Sequence, residues 1–311
     1  MKVISIIVPC YNEEKVVSIF YKEIEKLFQD ELSPYQLELI FVNDGSRDNT
    51  HAEIIKLVQK DTRIQYINLA RNFGKEAAML AGLQHSSGTY ITVMDVDLQD
   101  PPYLLIKMVD LLENDKCDIV LTRRSDRANE PLLRTLFSQF FYKLMKKASD
   151  VDMPQGVRDF RLMKRQVLDS ILELKEYHRF SKGLFAWPGY RSEILEFPNV
   201  ERVGGETSWS FWGLFSYAIE GVVAFTVFPL RIATITGILL FILSTFTSVF
   251  IIVRKLYLGD AVQGWTSMIL IIIFFCSVQL IFLGIIGEYL SKIYEQIKGR
   301  PNYIIEKIYK S

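Results

Sequence analysis

The chain has 311 residues, 50% of them hydrophobic, and its 36 Lys+Arg offset its 36 Asp+Glu. That length accommodates a full-sized domain and something further, while the balanced charge lends no support to a nucleic-acid partner, which calls for a basic surface. The charge is unevenly spread: residues 232–253 and 267–287 carry none, and each run, at roughly 20 residues, is long enough to cross a bilayer as a helix. The pattern predicts a water-facing domain followed by two spans. Met1 and Lys2 lead straight into a short apolar run with no signal-peptide pattern, so the front domain is expected to stay cytosolic. Cys10, Cys117 and Cys276 are unevenly spaced and read as buried small hydrophobes.

Residues 3–8 are an apolar run closed by Pro9 and predict a first strand. A helix follows, with apolar positions Val16, Val17, Phe20, Ile24 and Leu27, Asn12 as the expected N-cap, and Glu13 and Glu14 in the first turn. Two further cycles repeat the scheme: strand 37–42, a turn at Asn43-Asp44-Gly45-Ser46 and helix 48–59; then strand 64–69, Asn72-Phe73-Gly74-Lys75 and helix 76–83. The fourth strand stops at Asp95-Val96-Asp97, with Asp100 and two prolines behind it. Apolar strands separated by helical patterns predict a mostly parallel sheet covered on both faces. Such sheets bind ligands beyond the carboxyl ends of their strands, where Tyr11, Glu13, Asp44, Lys75, Asp95 and Asp97 gather.

Asp95 and Asp97 are spaced to share one hard divalent cation such as Mg²⁺ or Mn²⁺; solvated carboxylates capping the next helix fit the same spacing. No Gly-x-Gly-x-x-Gly follows the first strand and no P-loop occurs. Beyond them, a helix is expected at 102–112, a strand at 117–121 and a long amphipathic helix at 130–147. Arg158-Asp159-Phe160-Arg161 follows a glycine turn, and as a pattern fits either a site or an ion pair at a helix start. Residues 177–190 mix Arg179 and Lys182 with aromatics, which suits an interfacial or phosphate-binding surface, and His178 reads as a surface residue. A strand is plausible at 190–197. Trp209 and Trp212 mark an interfacial helix at 209–219 leading into the spans. The spans are expected at 232–253 and 266–287, with Lys/Arg bias placing both large ends inside.

Taken in order, Pro9-Cys10-Tyr11-Asn12-Glu13, Val42-Asn43-Asp44-Gly45-Ser46, Asn72-Phe73-Gly74-Lys75, Met94-Asp95-Val96-Asp97-Leu98-Gln99-Asp100-Pro101 and Gly156-Val157-Arg158-Asp159-Phe160-Arg161 resemble a family 2 glycosyltransferase of the α/β GT-A fold. The C-terminal spans resemble its polyprenyl-phosphate branch, which includes bactoprenol glucosyltransferases and dolichyl-phosphate mannose synthases. The resemblance implies a sheet that is mixed but mostly parallel, followed by interfacial helices and two transmembrane helices. In domain terms this is a cytosolic transferase domain at 1–208, an interfacial region at 209–230, a two-helix membrane domain at 231–288 and a cytosolic tail at 289–311.

The resemblance further implies transfer of a hexose, with UDP-glucose the preferred donor, to undecaprenyl (polyprenyl) phosphate with inversion. Pro9, Tyr11, Glu13, Asp44, Lys75 and Asp95 would then hold the nucleotide sugar. Asp95 and Asp97 would hold Mg²⁺ or Mn²⁺ and act in catalysis with Asp159, while Arg158, Arg161, Arg179, Lys182 and Arg202 would receive the acceptor phosphate. Ser208 stands where relatives often carry lysine. A bacterial plasma-membrane location, a tetramer, and links to a flippase and a downstream glycosyltransferase are implied in the same way. A processive polysaccharide synthase lacks its Gln-x-x-Arg-Trp motif here; a non-catalytic nucleotide-sugar sensor or flippase partner is the other alternative.

Overall fold

The computed structural model describes residues 1–125, 154–198, 226, 228–258 and 264–310. The helix expected at 130–147, the interfacial segment at 209–219 and the loop with Arg202 and Ser208 lie outside the described residues. The rest builds one sheet of eight strands, β1 Val3–Cys10, β2 Gln36–Asn43, β3 Ile64–Leu69, β4 Tyr90–Val93, β5 Ile119–Arg124, β6 Val157–Lys164, β7 Ser192–Phe197 and β8 Ile305–Lys310, in the order β7-β5-β6-β4-β1-β2-β3-β8. The β4, β1, β2 and β3 strands are parallel neighbours and β5 pairs parallel with β7, whereas β6 runs antiparallel to β4 and β5, and β8 antiparallel to β3. The sheet is therefore mixed and mostly parallel.

Its helices are α1 Val17–Asp30, α2 Thr50–Lys60, α3 Lys75–His85, α4 Leu104–Glu113, α5 Arg165–Leu172 and α6 Ser181–Ala186. Side chains alternate across each strand. Ile4, Ile6 and Val8 of β1 pack with α1, α2 and α4, while Ile7 faces α3 and α5, giving two cores separated by the sheet. The approach of α3 to β1 is close: a Cβ at Gly82 would lie 2.3 Å from Ile7 Cγ2. That contact fixes where the first turn of α3, with Lys75, stands relative to the strand ends.

Three local expectations are corrected. Asn12 does not cap α1; it takes φ +58° and binds the neighbouring loop through Asn12 N–H to Ser46 Oγ and Arg47 N–H to Asn12 Oδ1, so the helix begins at Val17. Residues 157–164 form a strand and not a helix start, because β4 and β5 offer two open edges for pairing. Cys10 and Cys117 are buried, but Cys276 is exposed on an apolar helix.

Two long helices follow, α7 Phe228–Leu258 and α8 Trp265–Ile297. Within α8, the 24 residues Phe274–Ile297 contain an 18-residue window of mean hydropathy 1.6 with none of its residues buried, long and apolar enough to cross a membrane; α7 contributes a shorter apolar stretch, Ile232–Thr247. At 33 residues, α8 extends about 50 Å, more than a hydrocarbon core of about 30 Å. Its polar last turns dock on the front domain. Gln296 Oε1 accepts the Tyr177 N–H at 2.7 Å, Gln296 Nε2 donates to Lys175 O, and His178 is engaged by Glu295 and Lys292. The chain then returns to the sheet as β8, within the segment expected to be a tail.

Candidate active site

The site is built where strands end. Asp44, one residue past β2, is 3% exposed, and its carboxylate accepts the N–H groups of Phe73 at 2.7 Å and Gly74 at 2.9 Å. Burial pushes its pKa up and these two bonds oppose that shift. Gly45 takes φ +67°, and a Cβ there would come within 2.5 Å of the Arg71–Asn72 peptide; only glycine permits this approach. Asp44 thus tethers the loop that delivers Lys75.

Lys75 stands between two carboxylates, with Nζ 2.7 Å from Asp95 Oδ1 and 2.8 Å from Asp159 Oδ2. The strand register explains the meeting. Val93 pairs with Arg161 in the antiparallel β4–β6 ladder, so two residues further along β4 and two residues back along β6 Asp95 and Asp159 are neighbours. Burial would lower the Lys75 pKa, but the charges of Asp159 and Asp95 outweigh it and raise it above the ordinary lysine value. Burial would raise Asp159, yet Lys75 and Arg161 hold it well below the usual carboxylate range, with Lys182 adding to the effect.

The arginines and lysine expected around the acceptor separate into different roles. Arg161 is 1% exposed; it donates to the backbone oxygens of Asp159 and Arg158 at 3.2 and 3.0 Å, and its guanidinium stacks over Phe185 at 4.1 Å. It braces the strand that carries Asp159. Arg158 is paired through Nε to Asp100 Oδ1 at 2.9 Å and keeps 26% of its side chain exposed. Arg179 donates to Leu174 O and Ile171 O, closing the end of α5. Lys182 is half-buried beside a cavity of about 350 Å³ that Arg161, Phe185, Trp187 and Tyr190 also line. Tyr11 is 43% exposed just past β1, and Pro9, the last residue but one of that strand, pairs with Val42.

Two residues outside the expected site set also converge here. Glu76, directly after Lys75, accepts from the backbone N–H and hydroxyl of Ser181, joining α3 to α6, and burial lifts its pKa to about 6. Asp100 is 1% exposed; burial raises its pKa against the pull of Arg158. Adjacency of Glu76 to Lys75 at a helix start was the available signal for the first; nothing in the spacing identified Arg158 as the partner of Asp100.

Asp95 and Asp97 supply hard carboxylate oxygens. Asp97 is 8% exposed and Asp97 Oδ1 accepts the Gln99 N–H at 3.1 Å, whereas Asp95 is already bound by Lys75. Among the described residues no three acidic, His or Cys side chains form a ready cation cage. This donor set fits a Mg²⁺- or Mn²⁺-type ion that draws most of its shell from water and substrate phosphate, and does not fit a self-sufficient structural site.

The profile described as glycosyl transferase family 2 matches residues 5–172. The chain is 42% identical over 304 residues to "Putative glycosyltransferase CsbB" of Bacillus subtilis (strain 168), covering 98% of this chain and 91% of that one. It is 40% identical to the bactoprenol glucosyl transferase of Shigella phage SfII, with 98% and 97% covered. Mannosyl-3-phosphoglycerate synthase from Rubrobacter xylanophilus superposes with a TM-score of 0.50 at 15% identity, over 71% of this chain and 72% of that one, a likeness of fold. With a mixed α/β sheet of GT-A type, acidic side chains at its strand ends and relatives matched over nearly its whole length, the chain belongs to glycosyl transferase family 2.

Proposed function

We propose that the protein transfers a hexose, glucose in the first instance, from a UDP-sugar to the phosphate of a membrane polyprenol such as undecaprenyl phosphate, with inversion. The observation that carries this reading is the union of the Asp95–Lys75–Asp159 cluster with an apolar helix whose polar end docks on the same domain. The bactoprenol glucosyl transferases to which the chain is similar support the lipid acceptor and the sugar.

Asp95 and Asp97 would hold a divalent cation that, when bound, stabilises charge developing on the departing nucleoside diphosphate. Tyr11, Glu13 and the Asp44 turn would frame the nucleoside. A phosphate monoester with a second pKa of about 6 is largely ionised at neutral pH and needs little help from a base. Asp159, held low by Lys75, is a weak base and acts by fixing Lys75 at the donor side. Lys182 and the exposed part of Arg158 would draw the acceptor phosphate, with Arg202 as a further cation. Arg161 and Arg179 support the backbone around them. Direct displacement in one step accounts for inversion.

In this reading α7 and α8 both span the bacterial plasma membrane, the transferase domain and C-terminus face the cytosol, and the 1–208, 209–230, 231–288 and 289–311 divisions describe the chain's relation to lipid. A panel of nucleotide sugars incubated with undecaprenyl phosphate, with and without chelator, tests it by measuring nucleotide release and lipid-linked product together. Cation-dependent UDP release that requires the lipid supports the proposal. Nucleotide binding without turnover would defeat it in favour of a sensor, and a lengthening glycan in favour of a synthase.

A further inference from the structure

The last strand of the chain ends in a polar relay that reaches the loop after β1. In the β3–β8 ladder Asn68 pairs with Lys307 and Leu69 with Ile305, so Glu306 is the extra residue of a bulge. Bulges re-aim side chains next to functional sites. Here the bulge directs Glu306 to Asn68, whose Nδ2 donates to Glu306 Oε2 at 2.6 Å. Asn68 Oδ1 accepts from Asn43 Nδ2 at 2.8 Å and from the Tyr66 hydroxyl at 3.0 Å. Asn43 Oδ1 accepts the Ser46 N–H at 3.1 Å and the Ser46 hydroxyl, and Ser46 Oγ accepts the Asn12 N–H at 3.0 Å. Asn43 and Asn68 are 3% and 9% exposed. Tyr309 of the same strand stacks on Tyr66 at 5.2 Å.

The direction of this chain is set at its outer end. A carboxylate only accepts, whereas an amide both donates and accepts. Glu306 therefore holds the Asn68 NH₂ outward and its oxygen toward Asn43. That oxygen in turn holds the Asn43 NH₂, leaving the Asn43 oxygen for Ser46. Ser46 then fixes Asn12, which holds φ +58° between Tyr11 and Glu13. The Asn43–Ser46 turn also contains Asp44, which tethers the Lys75 loop.

We propose that β8 is a positioning element for the nucleotide: Glu306, acting through Asn68, Asn43 and Ser46, sets the Tyr11–Glu13 loop and the Asp44 turn in their binding geometry. This rests on the reading of those residues as the nucleoside end of the site. It also gives the strand following the membrane helix a part in donor binding. Asn43, Asn68 and Glu306 are positioning residues and need not touch the substrate.

The test is titration of full-length protein in detergent with UDP, and with GDP in parallel, alongside steady-state kinetics of Glu306→Ala and Glu306→Gln. A side-chain hydrogen bond of ordinary strength corresponds to a loss of about fivefold in nucleotide affinity for Glu306→Ala. Donor KM rises to match, while acceptor KM stays at its wild-type value. Glu306→Gln, which retains an accepting oxygen, recovers affinity to within about twofold. Unchanged affinity in Glu306→Ala would overturn the proposal. So would equal losses in both variants accompanied by a lower unfolding temperature, the mark of a purely structural strand. Nucleotide affinity that follows this pattern upholds the relay whichever sugar or acceptor the wild type turns over, so failure of the proposed reaction is read separately.

Discussion

Removing the Lys75 ammonium exposes how the cluster is held. In Lys75→Met, Asp95 and Asp159 lose the cation that bridges them at 2.7 and 2.8 Å. Breaking a buried pair by deleting one partner costs about 3–5 kcal/mol. Lys75 keeps 39% of its side-chain surface exposed, and the carboxylates 26% and 27%, so solvent screening reduces the expected loss to about 2 kcal/mol. For a domain of this size that corresponds to a fall of about 4–8 °C in unfolding temperature. The pH dependence follows from the direction of the Asp159 shift. Its folded pKa lies below its unfolded value, so the pairing contributes fully above the unfolded carboxylate pKa and is lost as pH falls through the folded one. In the variant Asp159 loses the cation that holds it low, takes up its proton at higher pH than in the wild type, and is relieved of its uncompensated charge in acid. The gap between variant and wild type is therefore widest at about pH 8 and narrows toward about pH 4. Thermal unfolding in detergent at several pH values, followed by tryptophan fluorescence, measures it. A gap that does not change with pH, or no gap, would refute the electrostatic account of the cluster.

The Asp159→Asn variant is expected to lose about 10- to 100-fold in kcat through misplaced Lys75, with the loss constant across the pH range. Recovery of near-normal rate at high pH would show that Asp159 works as a base. Glu76 has a folded pKa of about 6, raised by burial from 4.5, so its ionisation works against the fold. Wild-type stability should fall by about 1–2 kcal/mol as pH rises through that range, and the slope should disappear in Glu76→Gln, as read by unfolding at stepped pH. Arg158→Ala strands the 1%-exposed Asp100 and should destabilise by about 3 kcal/mol. Adding Asp100→Asn should recover part of that loss, and a simple sum of the two single effects would contradict the pairing.

Much of the site could be read from the chain because α/β sheets concentrate chemistry at strand ends, and strand ends are marked in sequence where apolar runs meet polar residues. Asp44, Lys75, Asp95 and Asp97 each follow such an apolar run in the sequence. Asp159 is marked by its motif, but its strand is not. A stretch of alternating charge and hydrophobicity between two arginines contains no local signal that β4 and β5 will both pair with it. The fates of Arg158, Arg161 and Arg179 were equally hidden, since a guanidinium that binds phosphate and one that braces a carbonyl have the same sequence appearance. Residues 305–310 follow a turn signal at Gly299-Arg300-Pro301-Asn302, but nothing local points to β3 as their partner, and that pairing spans most of the chain.

Local order along the chain, then, determined the succession of strands and helices, the acidic edge, the charge-free runs and the family, because hydrophobic periodicity and short motifs are properties of neighbouring residues. Only tertiary structure decided which carboxylate meets Lys75, that Arg161 is a buried strut, and that the end of the chain closes the sheet beside the expected nucleotide loop. Those outcomes depend on strand register and on charges brought together from distant positions. Their energies arise on burial, where an ion pair or an amide has few alternatives to the partner that the fold presents.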